Sequence, residues 1–364
     1  KWLKRDVAAH EEKHQVGCGF GVLSAMASRR LPRRRPLLAL GLSLVVASSF
    51  WCRSAPGAGG AVAAVPLGRI ARGSGGAQAS SAGQNDLLVF GAGFLGKLAA
   101  QKWLERHPSA RVVGVTRSDA SHEELRQMGV EPHTAGADLA AAAPTGGFKN
   151  VIFAAPPSGG RPGAPAAPGS YAESIREAQS HWDGKGGFVF TSSGGVFKED
   201  VGGTVDETSP VSDTPRTAVL LEAEKLVREG GGTVLRLAGL YDILRGAHAY
   251  WLKVGVITGS KDGVLNLLHY EDAAEAALTA LDRGSAVRGE LFIVGDGVPT
   301  TRLEIVQSAR QAPQFADAAE PVFEVPPEQM GKPSGKVYNV RRATDVLRWT
   351  PRYKSFAQFI TMQR

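Results

Sequence analysis

Beyond residue 85 the chain alternates short apolar runs with longer stretches whose apolar positions recur at helical spacing. Asp86-Leu87-Leu88-Val89-Phe90 reads as a buried strand, Lys97 to Arg106 (KLAAQKWLER) as an amphipathic helix, and Arg111 to Thr116 as a second strand. The same rhythm predicts strands over Asn150 to Ala155, Gly187 to Ser193 and Thr233 to Leu237, with helices over Tyr171 to Trp182 and Glu222 to Glu229. Strands that alternate with helices pair in parallel, because each crossover carries the chain back across a face of the sheet. The expected class is therefore α/β, a doubly wound parallel sheet. Between the Asn150 strand and the Tyr171 helix lies PPSGGRPGAPAAPG (Pro156 to Gly169), which neither a helix nor a central strand accommodates. It leaves the C-terminal end of a strand and reads either as a lid or as a disordered insertion.

Charge divides the chain differently. Residues 1–85 hold twelve Lys/Arg and three Asp/Glu, a net +9, whereas residues 86–364 carry −2. The basic character thus belongs to the N-terminal segment, and no nucleic-acid partner is expected for the folded part. Residue 1 is Lys and the first Met is Met26, so residues 1–25 are expected to be leader sequence. Arg29 to Arg35 is strongly basic, and Pro36 to Trp51 is uncharged and apolar, shorter than the ~20 residues of a spanning helix. Residues 53–85 are rich in Gly, Ala and Ser and hold no acid. A signal peptide followed by a transit-like tail predicts delivery to a plastid (chloroplast). Secretion, or a signal anchor, is the alternative, and no membrane span is expected in the mature domain. Both cysteines, Cys18 and Cys52, lie in this segment, which excludes a disulfide framework, a cysteine nucleophile and a cysteine-ligated metal beyond it.

The chemistry starts at Gly91-Ala92-Gly93-Phe94-Leu95-Gly96, set between a strand and a helix of a β-α-β unit. Gly91 permits a tight turn, Gly93 leaves the backbone bare for a pyrophosphate, and Gly96 lets helix and strand pack closely. The helix start then offers free N–H groups and a positive dipole end to phosphates. The second strand ends Thr116-Arg117-Ser118, where an acidic residue would grip a ribose 2′-hydroxyl and where Arg117 instead suits a 2′-phosphate. The expected cofactor is NADP, with NAD as the alternative. Asp138 fits either a place near the adenine or a helix N-cap. Ala154 and Ala155, at the end of their strand, are further cofactor-contact candidates.

GAGFLG, then TSSGGVF (Thr191 to Phe197), VLRLAGLYD (Val234 to Asp242) and NLLHYEDAAEAAL (Asn266 to Leu278), in that order, resemble the extended short-chain dehydrogenase/reductase superfamily. More narrowly they resemble NAD-dependent epimerase/dehydratase relatives. Lys336 to Ile360 (KVYNVRRATDVLRWTPRYKSFAQFI) is similar to the ending of an atypical subgroup. The resemblance covers essentially all of 86–364. It implies a Rossmann fold with a small C-terminal substrate lobe from about 240–265 and 297–364. It also implies a nucleotide-sugar or small carbonyl substrate and, in many members, a homodimer.

The family's chemistry uses a Ser or Thr, a Tyr and a Lys four residues after that Tyr. The Ser maps to Ser193, with Ser192 as fallback. On the expected helix, aligning Glu224 puts Arg216 and Leu220 at the Tyr and Lys positions; aligning Lys225 puts Leu221 at the Tyr. Neither register has a tyrosine, and an always-protonated arginine is a poor proton shuttle. Tyr241 or Tyr171 then stands as a substitute proton donor, Arg216 as a contact for an anionic substrate, or the protein binds NADP without turnover as a regulator, assembly factor or scaffold. Arg245 resembles an arginine that faces the substrate diphosphate in sugar-nucleotide enzymes. Asp272 reads as an N-cap and His269 as a structural histidine. No metal site is expected.

Overall fold

A computed structural model of the chain describes residues 83–157 and 170–363. The expectations for residues 1–82 and for 158–169 of the Pro/Gly-rich loop fall outside these residues. The chain runs through β1 (Leu87–Phe90), α1 (Phe94–Arg106), β2 (Val112–Thr116), α2 (His122–Gln127), β3 (Glu131–Thr134), α3 (Ala137–Ala142) and β4 (Phe148–Phe153). It continues with α4 (Ser170–Ser180), β5 (Trp182–Ser193), β6 (Val201–Val205), α5 (Pro215–Glu229), β7 (Thr233–Leu237) and β8 (Gly239–Tyr241). Then come α6 (Ala247–Val254), β9 (Val256–Thr258), β10 (Val264–Leu265), β11 (Leu267–His269), α7 (Tyr270–Arg283) and β12 (Leu291–Val294). The last elements are β13 (Thr300–Thr301), α8 (Arg302–Ala309), β14 (Val322–Glu324), β15 (Gly335–Tyr338), α9 (Arg341–Asp345) and α10 (Phe356–Thr361).

Seven strands form one sheet in the order β12-β7-β5-β4-β1-β2-β3, and every pairing in it is parallel. Alternation along the strands serves both faces, as a fully buried sheet requires. Leu87 and Val89 pack with Ala99, Ala100 and Trp103 of α1 and the alanines of α7, whereas Leu88 and Phe90 pack on the opposite face with α4 and α5. The α7 face is nearly all alanine (Ala273, Ala274, Ala276, Ala277, Ala280, each buried), so this helix lies close against its neighbours. The doubly wound architecture read from the alternating pattern is the one observed.

Strand order reverses between β1 and β4, the switch point outside whose carboxyl ends ligands bind in open α/β sheets. An aromatic row underlies that edge. Phe90, Phe153 and Phe190 are in register across β1, β4 and β5, with centroids 5.1 and 5.8 Å apart along the row. Each ring buried contributes roughly 1.5–3 kcal/mol. Upstream, residues 84–86 are tied to the domain: Trp103 Nε1 donates to the Asn85 carbonyl at 2.7 Å, and Asn150 Nδ2 to those of Gln84 and Asp86 at 3.3 and 3.1 Å.

Beyond the sheet, Tyr241, Leu267, Ile305, Tyr353, Phe356 and Phe359 form a separate core, with side chains of α6 packed against it. A smaller sheet joins β13, β10, β15 and β6.

Several boundaries differ from the sequence expectation. β5 starts at Trp182, not Gly187: it pairs Phe148 with Trp182, then Asn150 with Gly187. The intervening residues loop out, their amides at Lys185 and Gly186 donating to Asp183 Oδ1 at 2.8 Å each. α5 starts at Pro215, because Thr214 and Thr217 exchange side-chain and backbone hydrogen bonds as a capping box and Pro215 presets φ at the first turn. Asp272 is not the N-cap of α7; His269 is, its Nδ1 accepting from the Glu271 amide at 3.2 Å. Asp272 instead accepts from the amides of Arg352 and Tyr353 at 2.8 and 3.0 Å, pinning the C-terminal segment. Among the described residues no helix is long and apolar enough to cross a membrane.

Candidate functional site

The turn from β1 into α1 is built by three glycines with different surroundings. Gly91 has φ +96°, and a Cβ on it would collide with the Ala155 amide nitrogen, so only glycine closes β1 against the end of β4. Gly96 is buried, and a Cβ there would run into the Gly91 carbonyl and Val89. Gly93 differs: among the described residues nothing stands within 4 Å of where its Cβ would be. Gly93 is also the N-cap of α1, with no side-chain cap and no acid in the first turn. The first intrahelical bond runs from the Lys97 amide to the Gly93 carbonyl at 2.8 Å, so the amides of Phe94, Leu95 and Gly96 have no acceptor within the helix. Bare backbone, free donors and a positive helix end fit a diphosphate. Ala92 is buried, while Phe94 and Leu95 lie at the turn's surface.

Tyr171 braces the opposite wall. Its hydroxyl donates to the Ala155 carbonyl at 2.7 Å, and burial raises its pKa above the ordinary tyrosine range. That hydroxyl is thus engaged in holding the end of β4, with Ala154 and Ala155 between it and the glycine turn.

Arg117 is exposed on the residue after β2. Asp138 is not an N-cap: Gly136 holds that position, and Asp138 lies in the first turn of α3. Its Oδ2 accepts from the Thr134 amide at 2.8 Å, and that bond with the His133 contact lowers its pKa.

At the end of β5, Ser193 Oγ accepts from the Gly195 amide at 3.1 Å and stays partly exposed. Ser192, the fallback, is buried and donates to Glu224 Oε1 at 2.6 Å, which removes it from any solvent-facing role. Lys225 is exposed and 3.9 Å from Glu229, so it does not face the end of β5. Arg216 is exposed in the first turn of α5, and Leu220 and Leu221 are partly buried. Tyr241 does not open onto the site. Its ring is packed edge-on against Phe356, Phe359 and His269, and its hydroxyl is buried without a hydrogen-bond partner. Burial with Asp296 and Asp272 raises its pKa above the tyrosine range, so it is no ready proton donor.

Sequence reasoning missed Tyr338. A Cβ at Gly194, next to Ser193, would meet the Tyr338 ring at 2.6 Å, so the phenol packs directly on Gly194. Burial pushes its hydroxyl up to about 12. The only signal was one aromatic residue in the C-terminal KVYNV. Arg245 departs most from expectation. Its guanidinium carbon stands 4.2 Å over the Phe94 ring, at the first residue of α1, and Phe94 meets Tyr270 edge-on at 4.7 Å. Among the described residues no cluster of His, Cys, Asp and Glu suits a metal ion.

No family model matches the chain, and no curated protein matches it in sequence. Solved structures do. The UDP-glucuronic acid 4-epimerase of Bacillus cereus, in complex with UDP-glucuronic acid and NAD, is 17% identical with a TM-score of 0.61, covering 76% of this chain and 97% of its own. The UDP-glucose 4-epimerase of Thermotoga maritima, with UDP-glucose, is 20% identical with a TM-score of 0.56 over the same shares. A conserved protein of unknown function from Silicibacter pomeroyi is 19% identical with a TM-score of 0.58, again over 76% and 97%. At these identities the likeness is one of fold, and the fold shared is a Rossmann-type α/β architecture with a parallel central sheet.

Proposed function

We propose that the chain is an NADP-dependent enzyme of epimerase, dehydratase or reductase type that acts on a nucleotide sugar or a small carbonyl compound. The observation that carries this reading is the open space at Gly93 in front of the α1 amides, beside the switch point of the sheet. When bound, the nicotinamide supplies hydride transfer. The residues Gly91 to Gly96 hold the diphosphate, Ala154 and Ala155 line the adjoining strand end, and Asp138 stands at the adenine side. Arg117 pairs with the 2′-phosphate and favours NADP over NAD. Ser193 orients a substrate oxygen, and exposed Arg216 meets an anionic substrate. The two solved epimerases bind nucleotide sugars, and one of them also NAD, which supports the substrate class. The basic presequence supports delivery to a plastid.

A second reading, NADP binding without turnover, is favoured by one observation: Tyr171 is engaged with a carbonyl, Tyr241 is buried, and α5 offers Arg216, Leu220 and Leu221 where a phenol and an amine would act. Purified protein decides between the two. Thermal-shift titration with NADPH and NADH tests binding, and absorbance at 340 nm with a panel of sugar nucleotides and small carbonyls tests turnover. Binding with consumption of NADPH supports the enzyme; binding with none across the panel supports the second reading; no shift with either nucleotide rejects both.

A further inference from the structure

We infer that Arg245 is the cation that closes over the cofactor's diphosphate, reaching the glycine turn from the far half of the chain; this rests on the dinucleotide reading above. Arg245 lies between β8 and α6 in a loop that braces itself. The Asp242 amide donates to the Arg245 carbonyl at 3.0 Å, and the Leu244 amide to Asp242 Oδ1 at 2.7 Å. Gly246, at φ +121°, ends the loop in a conformation that other residues rarely adopt.

The side chain is held at one edge and one face. Asp242 Oδ2 stands 3.4 Å from Nε, and the Phe94 ring lies 4.2 Å below the guanidinium carbon. Phe94 is in turn fixed by the edge of Tyr270 on α7. Among the described residues these contacts leave the two terminal nitrogens of a half-exposed side chain (55%) as unspent donors. They sit next to the residue that follows Gly93, where no described residue fills the space a Cβ would take. A planar fork matches phosphate oxygens in two-point fashion, and stacking on an aromatic ring preorganises it. The helix start then offers amides from one side and Arg245 offers charge from the other. Two elements about 150 residues apart in sequence meet on one ligand group.

A substrate diphosphate has the same chemistry, so the experiment separates the two sources. Wild type, Arg245→Ala and Arg245→Gln are titrated calorimetrically with NADPH, ADP-ribose 2′-phosphate and adenosine 2′,5′-bisphosphate, the last of which has no diphosphate. UDP-glucose is titrated onto protein saturated with NADPH. Both variants are expected to bind NADPH and ADP-ribose 2′-phosphate about ten- to a hundredfold more weakly, as for a lost hydrogen bond to a charged group. Adenosine 2′,5′-bisphosphate is expected within about twofold of wild type. Equal losses for all three ligands, no loss, or a loss confined to UDP-glucose would each overturn the assignment. Wild-type protein that ignores all three, and NADH as well, ends the dinucleotide reading along with it.

Discussion

Glu224 of α5 and Arg236 of β7 form a buried ion pair, with Arg236 Nη2 donating to Oε2 at 2.7 Å and Nε to Oε1 at 3.0 Å. Ser192 adds a third donor at 2.6 Å, and the guanidinium lies 4.8 Å over the Phe197 ring. The pair fixes the rotation of α5. With Glu224 facing inward, Lys225 faces solvent. Of the two alignments open in the sequence, the one that uses Lys225 as the family lysine therefore loses its geometric basis.

Removing one partner strands the other charge in the interior. Glu224→Ala is expected to lower unfolding free energy by about 3–5 kcal/mol. The double variant Glu224→Leu with Arg236→Met is expected to be less destabilised than Glu224→Ala alone. Urea denaturation of wild type and the two variants checks this; a double variant as unstable as Glu224→Ala, or more so, would count against a coupled pair.

The three glycines of the turn separate folding from binding. Gly93→Ala adds a methyl group to open space, so its melting temperature is expected to stay close to wild type while NADPH affinity drops at least about tenfold. Gly96→Ala pushes a Cβ into the Gly91 carbonyl and is expected to cost about 1–3 kcal/mol of stability. Differential scanning fluorimetry with and without NADPH reads both; a Gly93→Ala protein with unaltered affinity refutes the role of the turn.

Arg117→Ser is expected to weaken NADPH binding by about ten- to a hundredfold and leave NADH unchanged, since a hydrogen bond to a charged group contributes roughly 1.5–3 kcal/mol. Parallel titrations give the ratio directly, and an equal effect on both nucleotides would remove Arg117 from the 2′-phosphate.

Two buried groups oppose each other in acid. Burial, with the Asp272 carboxylate nearby, pushes Asp296 up to about 7, while burial holds His269 down to about 4. An unfolded aspartic acid titrates near ~3.9, so from about pH 4 to 7 the native state carries the extra proton and stability from Asp296 falls as pH rises. An unfolded histidine titrates near ~6.5, so from there down to about 4 the unfolded state carries the extra proton and stability falls with pH. Asp296→Asn removes the first slope and leaves the second. Its melting temperature is expected to fall more steeply than that of wild type on acidification from about pH 6.5 to 4.5; parallel curves would show that Asp296 does not titrate there.

Tyr338 makes Gly194 sensitive to volume. Gly194→Ala is expected to destabilise by about 1–3 kcal/mol through the contact with the phenol, and added Tyr338→Ala is expected to make the Gly194→Ala step nearly free. A double-mutant cycle by chemical denaturation measures that coupling.

The strands β1, β2, β4, β5 and β7 were legible as short apolar runs separated by helical spacing, whereas β3 reads EPHT and is only partly buried at the edge of the sheet. The glycine turn was legible from its spacing between a strand and a helix, and the structure gives Gly91 and Gly96 a steric demand while leaving Gly93 bare. Less could be read where the partner is remote in sequence. Arg236 in the apolar run TVLRL marked a charge needing a partner, but nothing local tied it to Glu224 or Ser192. Asp272 has the residue type of a cap, yet backbone amides 80 residues away claim it, and the imidazole of His269 takes its place. The stack of Arg245 on Phe94 joins two elements that only the folded chain brings together.

The anchoring of residues 84–86 would set a limit on any N-terminal trimming of the chain. A peptidase that trimmed the chain past Asn85 would strip the Asn85 carbonyl that receives the Trp103 indole and the Gln84 carbonyl that receives the Asn150 amide. Scissile bonds compatible with an intact domain accordingly lie upstream of Gln84, and the indole of Trp103 offers a fluorescent gauge of whether the new terminus remains seated.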